Sequence, residues 1–157
     1  MRNFPLDVIY SSDLIRAKNT AKEIQKRRKQ AIFYTSVLRE IPDEIVDRRR
    51  SEWNAPKKNK QWIEHIKNFL TELDEKHNHQ TVLLAGHSKT NTLITSILLG
   101  LDPHKLLFFV QSHCNITILE YGKKYSKLFG ELPGWKVLLW NDMHHMPKKL
   151  RTEENQR

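Results

Sequence analysis

Two short stretches carry residue types suited to holding a phosphoryl group. Ser11-Ser12-Asp13-Leu14-Ile15-Arg16-Ala17 and Leu84-Ala85-Gly86-His87-Ser88 each follow an apolar run and lead into an amphipathic one. A strand end that turns straight into a helix aims unpaired backbone N–H groups and the positive end of the helix dipole at one point, where an anion can sit. Arg16 lies about one turn into the first of these helices. Helical side chains lean toward the N-terminus, so its guanidinium can reach back over the strand end and grip a phosphate with two parallel hydrogen bonds. His87 stands where a strand meets a helix N-terminus, a position that lowers imidazole basicity and favours a neighbouring anion. It can donate to a phosphoryl oxygen, and Ser88 beside it and Ser11 at the end of the first strand are further phosphate-binding candidates. Spacing alone leaves a second account open, in which Arg16 is a solvated surface residue and His87 is structural.

The elements that would position these groups follow from periodicity. Asp7 to Ser11 reads as a short strand, and Ser11 or Ser12 is a suitable N-cap for a helix whose inner face is Leu14, Ala17, Ala21 and Ile24. Lys26-Arg27-Arg28-Lys29 then suits that helix's negative end. Ala31 to Thr35 is a second strand, and Pro42 disfavours helix at Ile41, which leaves Glu40 in a loop after it. Asp43 to Lys60 is charged and reads as an irregular or partly helical excursion. Trp62, Ile66, Phe69, Leu70 and Leu73 mark a long amphipathic helix ending near His77-Asn78-His79. Thr81 to Gly86 is a continuous apolar strand, a pattern of burial on both faces. Ser88 can cap the helix that carries Ile94, Ile97 and Leu98 and stops at Gly100. Asn115 to Tyr121 and Lys136 to Trp140 are later strands. This alternation predicts an α/β domain over residues 1–147, with helices on both faces of a mostly parallel central sheet, and a charged tail over 148–157. In such sheets ligands sit beyond the carboxyl ends of the strands, where Ser11, Arg16, Glu40 and His87 fall.

Composition narrows the function classes. The 157 residues are 38% hydrophobic and 29% charged, and no apolar run approaches the roughly 18 residues that span a bilayer. Met1 to Asp7 contains no secretory apolar region, so a cytoplasmic protein is expected. A net charge of +9 favours anionic ligands or nucleic acid without choosing between them. Arg48-Arg49-Arg50 and Pro56-Lys57-Lys58-Asn59-Lys60, with Trp53 and Trp62 nearby, could contact nucleic acid, but charge runs are usually solvated faces, and we do not expect that partner. Cys114 is the single cysteine, and its setting reads as a buried structural thiol. His77, His79, His104, His113, Cys114, His144 and His145 do not form a spaced zinc-ligand set, so no metal is expected.

The stretch Val8-Ile9-Tyr10-Ser11-Ser12-Asp13-Leu14-Ile15-Arg16-Ala17-Lys18-Asn19-Thr20-Ala21 resembles the YSSDLxRAxxTA signature of the histidine phosphatase superfamily, the phosphoglycerate-mutase-like proteins. Leu38-Arg39-Glu40 is similar to the family's LxE, Val82 to His87 to the strand ending in its second catalytic histidine, and Asn115 to Glu120 to a late strand. Trp140 to His145 is similar to its Asn-containing ending. The resemblance implies a three-layer α-β-α sandwich and phosphomonoester hydrolysis through a phosphohistidine. It implies Arg16 as phosphate clamp, His87 as the stabiliser of developing charge, Glu40 as proton donor to the leaving oxygen, and no cofactor or metal. The implied partner is a small phosphorylated substrate, with no membrane. In that family an Arg-His-Gly supplies the attacking histidine, and none of the eight histidines here follows an arginine. Pro42-Asp43-Glu44 also replaces the family's glycine-containing continuation after the acid. Two expectations follow from the missing tripeptide: a fragment of a full phosphatase, favoured by the retention of Arg16, Glu40 and His87, or a short homologue that binds phosphate or a partner without catalysis. Either way, loss of a central strand would leave exposed sheet edges through which copies could associate.

Overall fold

The apolar run Val8-Ile9-Tyr10 opens strand β1 (Val8–Ser12), the middle strand of a parallel sheet ordered β2-β1-β5. The computed structural model describes residues 5–42, 46–47, 52–53, 56–102, 111–126 and 130–151. In chain order the elements are β1, α1 (Ile15–Arg28), β2 (Ile32–Thr35), a 3-10 turn (Ser36–Leu38), β3 (Val46–Asp47), β4 (Glu52–Trp53), α2 (Pro56–Lys76), β5 (Val82–Ala85), α3 (Ser88–Leu98), β6 (Ile116–Ser126), β7 (Gly130–Asp142) and a final 3-10 turn (Lys148–Leu150). Ile9 aligns with Ile32 of β2 on one side and Leu83 of β5 on the other.

Alternation along the strands divides the core between two faces. Ile9 and Ala85 pack against Ala21 of α1, with Leu6, Ile24, Ile32 and Leu83 around them. Tyr10, Val82 and Leu84 turn to the other face, where Ile63, Ile66, Phe69 and Leu73 of α2 meet Leu93 and Ile94 of α3 and Leu38. Each such fully buried aliphatic side chain contributes about 1.5–3 kcal/mol. The result is an α/β domain with a parallel central sheet between helical layers, as expected.

Several local expectations are corrected. The strand Val82–Ala85 is buried only at Ala85 and half-buried at its other residues, because among the described residues its outer edge has no neighbouring strand. The helix expected from Trp62 begins earlier, at Pro56, a proline being well suited to a first helical position. β6 and β7 pair with each other, antiparallel, and do not join the parallel sheet among the described residues. The rings of Tyr121 and Trp135 meet across them at a tilt of 56°, their centroids 5.4 Å apart, and Lys136 pairs with Glu120 at 2.7 Å. Cys114 is exposed, not buried. It sits in a turn before β6 with φ of 59°, off the alternating strand that would have turned it inward. Arg48-Arg49-Arg50, His104, residues 1–4 and residues 152–157 lie outside the described residues, as do the side chains of Trp53 and of Pro56 to Asn59.

Helix α3 does stop where Gly100 predicts. Gly100 takes φ of 67°, donates to Ile97, and lets Leu101 donate to Ser96, so the last carbonyls of the helix are satisfied.

Candidate functional site

The corner formed by the carboxyl ends of β1 and β5 and the starts of α1 and α3 brings Ser12, Arg16, Glu40 and His87 together. Its serines do not act as helix caps. The residue preceding α1 is Leu14, with no side-chain cap, and the residue preceding α3 is His87, also without one. Ser11 and Ser12 belong to β1 and are fully buried. The Ser11 hydroxyl donates to the Ser12 carbonyl at 2.9 Å, and the Ser88 hydroxyl donates to the Gln111 carbonyl at 2.7 Å. Capping preference is a local rule, and here the hydroxyls are taken otherwise, that of Ser11 by the neighbouring carbonyl and that of Ser88 by a residue 23 positions away.

His87 is 8% exposed. Its Nε2 lies 3.1 Å from Ser12 Oγ and its Nδ1 lies 3.9 Å from Glu40 Oε2. Burial holds the His87 pKa below the usual imidazole value, Glu40 works against that shift, and the positive charge of Arg16 adds to it. The balance of these effects favours the neutral ring. Glu40 is held by the start of α3, because the backbone N–H of Lys89 donates to its Oε1 at 3.1 Å. The segment that carries Glu40 is fastened on both sides. Lys89 Nζ donates to the Ile41 carbonyl at 3.1 Å and Thr90 Oγ1 to the Arg39 carbonyl at 2.6 Å. Arg39 in turn forms a two-pronged pair with Asp13, both bonds 2.6 Å, which lowers the Asp13 pKa.

Arg16 stands apart from this network. Its side chain is exposed, and its guanidinium makes no hydrogen bond or ion pair among the described residues. It is close enough to bias the titration of His87, so a free cation faces the site. Gly86 closes the floor between β5 and His87. A Cβ there would collide with Asn91 Oδ1 from the first turns of α3, which lets the strand run into the helix without a spacer.

Ser12 is the member of the site that sequence reasoning missed as a functional group. It was visible as a polar residue ending an apolar strand, but its partner is 75 residues away. A second polar set lies behind α3: Asn141 Oδ1 accepts from the Ser112 backbone N–H at 2.7 Å, and the Asn141 N–H reaches Thr117 Oγ1 at 3.2 Å. That set, with the Ser88 bond to Gln111, attaches the β6–β7 hairpin to the start of α3. Among the described residues no group of three or more histidine, cysteine, aspartate or glutamate side chains could hold a metal ion.

Solved structures share this architecture. A mycobacterial glucosyl-3-phosphoglycerate phosphatase bound to VO3 superposes with a TM-score of 0.65 at 19% identity, covering 90% of this chain and 78% of that one. The α-ribazole phosphatase of Shigella flexneri gives 0.64 at 15% identity, over 90% and 76% of the two chains. A mutant phosphoserine phosphatase of Entamoeba histolytica, in complex with phosphoserine, gives 0.61 at 20% identity, over 90% and 76%. No curated protein sequence matches significantly. The model of the histidine phosphatase superfamily (branch 1) matches residues 1–130, most of the chain, and the protein belongs to that superfamily.

Proposed function

We propose that this chain holds the phosphoryl group of a small phosphomonoester at the carboxyl ends of β1 and β5, as the phosphate-binding part of a phosphatase site. Arg16 clamps the phosphate and His87 donates to a phosphoryl oxygen; in a site completed by an attacking nucleophile, which none of these residues supplies, His87 would stabilise the developing charge and Glu40 would protonate the leaving oxygen. Ser88 lends the backbone N–H of the first turn of α3, its hydroxyl being committed to Gln111, and Ser11 frames the pocket from within β1. The observation that carries this reading is the convergence of Ser12, His87 and Glu40 beside an arginine with no partner of its own among the described residues. Relatives crystallised with inorganic phosphate, vanadate and phosphoserine support a phosphorylated ligand.

A second reading, phospholigand binding without turnover, is favoured by one fact: Arg-His-Gly occurs nowhere in these 157 residues. A single domain over residues 1–147, a cytoplasmic setting, and association of copies through the open edge of β5 complete the proposal. In its support, no described helix is long and apolar enough to cross a membrane.

The test is to titrate inorganic phosphate and vanadate into wild type and Arg16→Ala, and to assay aryl phosphate hydrolysis and phosphohistidine on the same samples. Wild type binds and Arg16→Ala loses affinity, while residues 1–157 alone turn over at background and form no phosphohistidine. Equal affinity in both would remove Arg16 from the site. Turnover well above background would reject the non-catalytic reading and make His87 the candidate nucleophile.

A further inference from the structure

The Ser12 hydroxyl has two neighbours and one proton to place. The backbone N–H of Leu14 donates to Ser12 Oγ at 3.2 Å, which occupies one lone pair of the oxygen. The other neighbour is His87 Nε2 at 3.1 Å. Ser12 is 0% exposed, so water does not take its proton, and among the described residues His87 Nε2 is the one acceptor within reach. A buried hydroxyl proton without an acceptor is costly. The hydroxyl therefore donates to Nε2, and in a neutral imidazole the ring proton must then sit on Nδ1.

We propose that Ser12 is a positioning residue that fixes His87 as the Nδ1–H tautomer and so turns the ring's N–H toward the side of the site occupied by Glu40. Nδ1 is the ring nitrogen that faces Glu40 Oε2, at 3.9 Å, beyond hydrogen-bond distance. The N–H is thus drawn toward the carboxylate without being spent on it. It remains free to donate to an anion entering between Glu40 and Arg16, and it does so from an uncharged ring. If Nε2 carried a proton instead, Ser12 Oγ would accept from both Leu14 and His87, and its own proton would be stranded in the interior. The lowered basicity of His87 agrees with that preference. The tautomer stands on these hydrogen bonds alone; its use in donating to an anion rests on the proposed function.

The test uses the full chain with its histidine rings labelled with 15N, observed by long-range proton–nitrogen correlation above the pH at which imidazole protonates. His87 is expected to show a pyridine-like Nε2 and a pyrrole-like Nδ1, the tautomer that free histidine disfavours. A pyrrole-like Nε2 in wild type overturns the proposal without any variant. Ser12→Ala is expected to populate the Nε2–H tautomer and to weaken binding of inorganic phosphate about threefold, whereas Ser12→Thr, which keeps the hydroxyl, retains the wild-type tautomer. An unchanged tautomer in a folded Ser12→Ala rejects the role of Ser12. Phosphate added to wild type should move the Nδ1–H signal and leave Nε2 nearly still. Binding that moves neither nitrogen overturns the donor role. No binding at all overturns the proposed function together with that role, and the tautomer is then decided by the wild-type spectrum.

Discussion

The two helices that begin beside the site, α1 and α3, have opposite N-termini. At α3 the Glu40 carboxylate takes the Lys89 N–H, so the positive end of the helix is met by the protein's own negative charge. Neither helix has an acidic residue in its first turn or a side-chain cap, but at α1 no carboxylate takes the place that Glu40 has at α3, and among the described residues the Arg16 guanidinium makes no hydrogen bond or ion pair. A helix end already facing a carboxylate offers an incoming anion orientation and a proton more than net attraction. Affinity should then reside with Arg16, and the His87 side should govern geometry and proton placement.

Replacing Arg16 is the strongest way to break that division. Arg16→Ala should weaken inorganic phosphate binding roughly 10- to 100-fold, the worth of charge-assisted hydrogen bonds, and Arg16→Lys should recover only part of it because an ammonium lacks the fork. Calorimetric titration measures both, and a loss confined to the α3 side would reverse the assignment. Glu40→Gln should act the other way, strengthening phosphate binding about threefold by removing a like charge. The same substitution should lower the His87 pKa further, since Glu40 now raises it, and an NMR titration reads that directly.

The pH dependence of stability sharpens the same contrast. The folded pKa of His87 lies below its unfolded value, so the unfolded chain binds the proton first. This contribution is fully present above the ordinary imidazole value, near pH 6.5, and is lost as pH falls from there to the folded pKa. Urea midpoints followed downward from about pH 7 should decline more in wild type than in His87→Gln. The smallest effect belongs to Asp13→Asn, which opens a surface pair with Arg39. Because Arg39 lowers the Asp13 pKa, any stabilisation is present above the ordinary carboxylate value and disappears as pH falls through the folded pKa. Wild type and Asp13→Asn should therefore converge in acid, as matched denaturation curves would record.

Much of this corner is legible in the sequence. Val8-Ile9-Tyr10 and Val82 to Ala85 are apolar runs bounded by polar residues, and Arg16 and His87 follow them at distances that place both at strand ends. The inner face of α2 was readable from Ile66, Phe69 and Leu73, whose spacing matches the helical period. What escaped were pairings across the chain. Serines at 12 and 88 satisfy every local rule for a cap, yet their hydroxyls serve His87 and Gln111. The start of α2 at Pro56 was masked by the charge density around it, although proline is common at a first helical position. The pattern of β6 and β7 showed strands but not that each would choose the other.

The order β2-β1-β5 also sets a sequence of events in time. β1 meets β2 through the short α1 crossover, but its other neighbour arrives from far along the chain: Thr81 reaches Asp7 across 74 residues and His87 reaches Ser12 across 75. Closing a long loop costs entropy before its contacts repay it, and non-local pairings form late. The β1–β2 unit can therefore assemble first, with β5 and α3 docking afterwards, so that His87 meets Ser12 near the end of the folding reaction. Interactions absent from the transition state leave the folding rate nearly unchanged and lengthen the lifetime of the native state. An anion held at this corner would act as a latch on a nearly finished molecule, slowing its opening without hastening its assembly.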